Sequence, residues 1–189
     1  LAGCASHGQV SNKPLENPSD SPKYSVESFQ DRWRTKDNSL MLAFSGGGTR
    51  AAALSYGVLQ ELRDTQIPVG DKTGRLLDEV HTISSVSGGS FTAAYFGLYG
   101  DRIFEDYENV FLRRNVQEAL VLRLLNPFNW FGLKDRTQLA IDYYSKEIFD
   151  DRTFSDLQRP NAPLLLINTA DFARGVRFSF VQEYFNLFC

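Results

Sequence analysis

Ser87 stands where a buried strand would be expected to continue. It closes the β-branched run of His81–Ser90, "HTISSVSGGS", and two glycines follow it. A small hydroxyl gains little from burial. A serine at the end of such a run, backed by Gly88 and Gly89, has the composition of a tight strand-to-helix turn that presents a nucleophile. In that elbow the hydroxyl projects beyond the sheet, and small neighbours let backbone and substrate approach. The G-x-S-x-G form of the turn carries glycine two places before the serine, where this chain has Ser85. Taken alone, the stretch also fits an ordinary strand-loop-helix junction.

A second glycine turn lies upstream in Leu40–Leu62, "LMLAFSGGGTRAAALSYGVLQEL". A serine attacking a carbonyl needs hydrogen-bond donors where the oxygen becomes negative. Gly46, Gly47 and Gly48, at the start of a helix, leave backbone N–H groups unpaired beside the positive end of the helix dipole. Loss of one such donor costs about 100- to 1000-fold in rate, so an oxyanion hole is a strong reason for residues that are otherwise costly in entropy. Arg50 is placed to steady this loop or to attract an anionic group; a solvated first-turn arginine is the alternative. Gly46, Gly48 and Ala51 also satisfy a G-x-G-x-x-A dinucleotide fingerprint. That fingerprint requires an acidic residue at the end of the next strand, and this strand ends in Ser-Gly-Gly instead.

The base for Ser87 is harder to place. The chain has two histidines, His7 and His81. His81 lies on the strand that feeds Ser87, and six residues of extended chain separate them by about 20 Å. It reads as a structural histidine. Either a catalytic histidine lies beyond Cys189, as in a conventional α/β-hydrolase, or another group takes the proton.

The elements around these turns alternate. "SLMLAFS" is a short apolar run suited to a strand buried on both faces, and "TRAAALSYGVLQELRDT" follows at helical spacing. "LLDEVHTISSVS" supplies a second strand and "GGSFTAAYFGLYG" a short helix. Ile103 to Leu125 is helical in pattern, "TQLAIDYYSKEIF" is a further helix, and "APLLLINTADFARGVRFSF" reads as two strands joined by a turn around Arg174-Gly175. Alternating strands and helices imply an α/β domain with a largely parallel sheet, in which ligands gather at the carboxyl ends of the strands. Both glycine turns fall at those ends. With 189 residues, 42% of them hydrophobic, the chain can bury one core. A net charge of -3 argues against a nucleic-acid partner, and no apolar run reaches the 18 or so residues that a membrane span needs.

The paired motifs resemble those of patatin-like phospholipases. That family carries a G-G-G-x-R loop after its first strand and a G-x-S-x-G elbow after its second, matched here by Gly46 to Arg50 and by Ser85 to Gly89. The resemblance runs from about Leu40 to Cys189. It implies a three-layer α/β fold, with a mostly parallel central sheet and helices on both faces. It further implies a Ser-Asp dyad acting on ester bonds of membrane lipids through an acyl-serine, without metal or organic cofactor. Ser87 is then the nucleophile, and the N–H groups of Gly46, Gly47, Gly48 and Gly88 hold the oxyanion. The family aspartate comes in a D-G-G or D-G-A motif, and no Asp-Gly pair occurs in this sequence. The aspartate is therefore expected beyond Cys189. Asp171, followed by Phe172, reads as a turn residue at a strand end.

The two ends carry their own expectations. "LAGCAS" resembles the bacterial lipobox, in which cleavage precedes a cysteine that then carries lipid; here that is Cys4. Residues 1–37 then form a lipobox remnant and a flexible, Ser-, Pro- and Asn-rich tether, and 38–189 the N-terminal portion of the catalytic domain. This places the chain in the bacterial cell envelope, with Ala5 after Cys4 pointing to the outer membrane. "FVQEYFNLFC" stops at Cys189 without a capping residue, the ending expected of a domain cut short, and Cys189 reads as a core thiol. Phe128, Trp130 and Phe131 of "LLNPFNWFGL" are either core or an acyl-chain entrance. A lipid-anchored binding protein without chemistry remains the alternative from another class.

Overall fold

The computed structural model describes residues 24–33, 38–114, 136–171 and 174–187. The chain forms two compact units, one of Pro22–Glu108 with Thr153–Cys189 and one of Leu1–Ser21 with Asn109–Arg152. In chain order the described elements are α1 (Val26–Trp33), β1 (Leu40–Phe44), α2 (Gly48–Asp64), β2 (Gln66–Val69), β3 (Lys72–Arg75), β4 (Val80–Val86), α3 (Gly88–Tyr99), α4 (Ile103–Tyr107), α5 (Arg136–Glu147), β5 (Leu164–Asp171), β6 (Val176–Phe180) and α6 (Gln182–Phe185). Helix α5 belongs to the second unit, where Arg114 reaches Glu147 at 3.4 Å.

The first unit is built on a mixed sheet in the order β1-β4-β5-β6. Strands β1, β4 and β5 run parallel and β6 is antiparallel to β5, so the α/β class with a mostly parallel sheet flanked by helices holds. Register sets Phe44, Ser85, Ile167 and Phe180 in one row across all four strands. Strand β4, with parallel neighbours on both sides, is buried over its first four residues. Strand β1 instead lies at the edge among the described strands. Its burial alternates and Met41 is 67% exposed, which corrects the expectation of a first strand covered on both faces.

Helix α3 lies against this sheet because its sequence is apolar on every side and small where it touches. A β-carbon on Gly97 would stand 2.6 Å from Leu165 Cδ1, closer than any side chain permits. Helix α2 packs on α3, with Ala51, Ala52, Ser55, Tyr56 and Leu59 buried. Between them the buried Thr92 hydroxyl donates to the Ala52 carbonyl and pairs with the Tyr107 hydroxyl, both at 2.9 Å. At the far end of α3, Arg159 donates to the carbonyls of Gly97 and Phe96 at 2.8 Å, placing positive charge at the negative end of the helix dipole.

Three expectations need correction. The range assigned to a tether contains α1, whose Phe29 is buried with Tyr24; the Tyr24 hydroxyl accepts from the Leu165 amide at 2.6 Å, so this part of the chain is stitched to β5. The strand expected to begin at Leu76 begins at Val80, after a 3-10 turn over Leu76–Glu79. Before it runs an antiparallel hairpin of β2 and β3 that was not foreseen. The helical pattern from Ile103 is α4 followed by a π-helical turn over Glu108–Leu112; residues 113 and 114 are already non-helical, and the pattern from residue 115 on lies outside the described residues. So do Cys4, Cys189, and Phe128, Trp130 and Phe131.

Candidate active site

Hydrogen-bonded pairing of β4 ends at Ser85 on the β1 side and at Val86 on the β5 side. The next residue, Ser87, has φ 51 and ψ -123 and starts α3 as its N-cap. Positive φ is rare for a residue with a β-carbon. The other described examples, Asp150, Asp151 and Asn161, are residue types that tolerate the left-handed region. A serine held there stores about 1–3 kcal/mol of strain, a feature that concentrates at functional sites. Ser87 is exposed, whereas Gly88 and Gly89 behind it are buried.

The upstream turn meets this elbow directly. Gly47, with φ 137, is the N-cap of α2, and Gly48 has φ 62. A β-carbon on Gly46 would lie 3.2 Å from Ser87 Cβ, and one on Gly88 would lie 2.1 Å from the Gly48 carbonyl oxygen. The Gly89 amide donates to the Ser45 carbonyl at 3.2 Å. The first turns of α2 and α3 therefore converge on Ser87, bringing two positive dipole ends to one place. Among the described residues, no backbone carbonyl accepts from the amides of Gly46, Gly47, Gly48 or Gly88. Such amides can stabilise a developing oxyanion. Arg50, in the first turn of α2, is exposed.

The groups considered as a base are each held by other partners. His81 is buried at the opposite end of β4, with Nε2 hydrogen-bonded to the Ser39 hydroxyl and Nδ1 3.0 Å from the Thr82 hydroxyl. Asp171 closes the hairpin of β5 and β6: its carboxylate accepts from the Arg174 amide at 3.2 Å and its carbonyl from the Gly175 amide at 2.8 Å. No described group of three His, Cys, Asp or Glu residues is arranged to hold a metal ion. A cavity of ≈ 500 Å³ lies by Val80, Phe96, Asp101 and Arg159, at the start of β4 and away from the elbow. Its Arg75 is already paired with Asp78 and Asp101, both at 2.6 Å.

Two features of the elbow escaped the sequence reading. The Ser85 and Ser90 hydroxyls are buried without a partner among the described residues. On the opposite face of β4, the Asn168 side chain bonds to Ser84 and Ser85. The signal for it was an amide set within the apolar run "LLLIN", since a polar group in a buried strand must find partners.

A family model described as Patatin-like phospholipase matches residues 42–186, a span that contains both glycine turns. No curated protein and no solved structure matches the chain.

Proposed function

The chain belongs to the patatin-like phospholipase family, and from that premise we propose that it is a serine acyl hydrolase whose nucleophile is Ser87. One observation carries this reading: an exposed serine in a strained backbone conformation stands beside a glycine turn whose amides meet no backbone carbonyl among the described residues.

In this mechanism the Ser87 oxygen attacks the ester carbonyl of a membrane lipid. Its proton passes to an aspartate that is not among the described residues, while the N–H groups of Gly46, Gly47, Gly48 and Gly88 hold the oxyanion. Collapse of the intermediate expels the alcohol portion, which takes the proton back. Water then attacks the acyl-serine, returning Ser87 and releasing the fatty acid. Arg50 attracts the anionic part of the lipid. Neither metal nor organic cofactor takes part.

Attachment through lipid on Cys4 would keep the enzyme at the cell envelope, beside its substrate. The mass of the mature N-terminus tests this part separately: an unmodified Cys4 rules it out. The hydrolase reading is tested with the full-length protein on phospholipid vesicles. Fatty acid release by the wild type and none by Ser87→Ala is expected; equal release by both proteins overturns the assignment.

A further inference from the structure

We propose that Asn168 is a positioning residue for Ser87, fixing the end of β4 so that the strained elbow holds its catalytic shape; this rests on the reading of Ser87 as nucleophile. The juxtaposition that carries it is direct. Asn168 is the Cα partner of Val86, the residue immediately before Ser87. Its Nδ2 donates to the Ser84 hydroxyl and the Ser85 carbonyl, each at 3.0 Å, and also lies 3.0 Å from the carbonyl of Leu166 on its own strand. Its Oδ1 accepts from the Ser179 hydroxyl at 2.6 Å, and Ser179 is buried on β6. One amide thus bridges three adjacent strands at the level where pairing between β4 and β5 ends.

The geometry explains why such a bridge is needed. A backbone with positive φ at serine relaxes unless its surroundings over-determine it. On the helix side, Gly88 and Gly89 are wedged against Gly48 and Ser45. On the strand side, Val86 is 40% exposed and adds little packing. Asn168 supplies the missing restraint by gripping the two residues before Val86. Ser179 sets the amide's direction, because a hydroxyl donating to Oδ1 leaves Nδ2 facing β4. Networks of this kind are stiff when every member is satisfied, and Asn168 uses both of its polar atoms.

The test uses the full-length protein and compares wild type, Ser87→Ala, Asn168→Asp, Asn168→Ala and Ser179→Ala. Fatty acid release from vesicles is measured beside the melting temperature. Asn168→Asp keeps the shape but loses the donor. Its kcat is expected to fall roughly 10- to 100-fold with KM little changed, the size of effect that a small misplacement of a reacting group produces. Part of the rate returns as pH is lowered and the new carboxyl gains a proton to donate; the wild type shows no such gain. Asn168→Ala loses rate without recovery at low pH, and Ser179→Ala loses less because the amide remains. If Asn168→Asp and Asn168→Ala melt like the wild type and keep its kcat, the positioning role is overturned. Should both fail to fold, unchanged kcat in a folded Ser179→Ala overturns it equally. A wild type no more active than Ser87→Ala instead removes the nucleophile assignment, and this proposal falls with it.

Discussion

The Gly89 amide donates to the Ser45 carbonyl at 3.2 Å, tying the first turn of α3 to the residue just past β1. Residues 44 apart in sequence thereby close into one unit, with Ser87 at its rim. The bond is possible because Gly89 has no β-carbon: one placed there would lie 2.7 Å from both the Ser45 oxygen and Phe44 Cβ. Small residues behind Ser87 thus permit the approach of two turns, and the approach sets the amides of the glycine turn near one hydroxyl.

Gly88→Ala tests that approach. The added methyl would meet the Gly48 carbonyl oxygen at 2.1 Å, a backbone atom that cannot swing aside. Overpacking of this kind costs about 1–3 kcal/mol, and the two turns must separate to accommodate it. Both a lower melting temperature and near-complete loss of ester hydrolysis are expected. A Gly88→Ala protein with wild-type activity would show that the contact is not needed.

Gly47→Ala separates activity from stability. Gly47 has φ 137, a conformation that alanine avoids, but it sits in an exposed turn with little packing to lose. Its loop is expected to relax and shift the amides, with kcat dropping about 100-fold, as on loss of an oxyanion donor. The melting temperature should move only slightly. A rate within threefold or so of wild type, measured under saturating substrate, would speak against these amides as oxyanion donors.

Ser85→Ala addresses the departure from the family pattern. The Ser85 hydroxyl is buried with no described partner, and an unsatisfied buried polar group costs about 1–3 kcal/mol. Its removal is expected to raise the melting temperature while leaving hydrolysis intact, since the backbone carbonyl used by Asn168 remains. Thermal melts of the two proteins decide it: a clear drop in Ser85→Ala would mean that the hydroxyl is engaged after all.

Much of this arrangement was legible in the sequence, and the reasons are local. Glycine after a short strand-like run can be read without knowing the fold, so the elbow at Ser87 and the turn at Gly46 to Gly48 stood out. The turn at Arg174-Gly175 was legible for the same reason, and Gly175 has φ 65. The hairpin of β2 and β3 was not: its strands have four residues each and include Pro68 and Gly74, so neither shows a strand pattern. Helix α1 was hidden because its order comes from tertiary contacts of Tyr24 and Phe29 rather than from the polar residues around them. The role of Asn168 depends on register between strands more than 80 residues apart, which periodicity does not carry.

Alkaline pH is expected to weaken the packing behind the site. Burial raises the Tyr107 phenol above its ordinary value of 10.0. Tyr95 is raised in the same way, with help from its bond to Asp106 at 2.6 Å. A raised folded-state value favours the neutral phenol in the native protein. The stability it contributes is complete below the unfolded value, near 10.0, and is lost as pH climbs through the folded one. Ultraviolet titration should show these tyrosines ionising only together with unfolding. Ionisation of every tyrosine near the ordinary value, with the fold intact, would contradict it.

Ser87 is proposed as the reacting hydroxyl. Treatment of the full-length protein with a serine-directed fluorophosphonate, followed by peptide mass spectrometry, tests it most directly. A stoichiometric adduct on Ser87 is expected, together with loss of ester hydrolysis. An adduct on a different serine, or full inactivation with Ser87 unmodified, would contradict it.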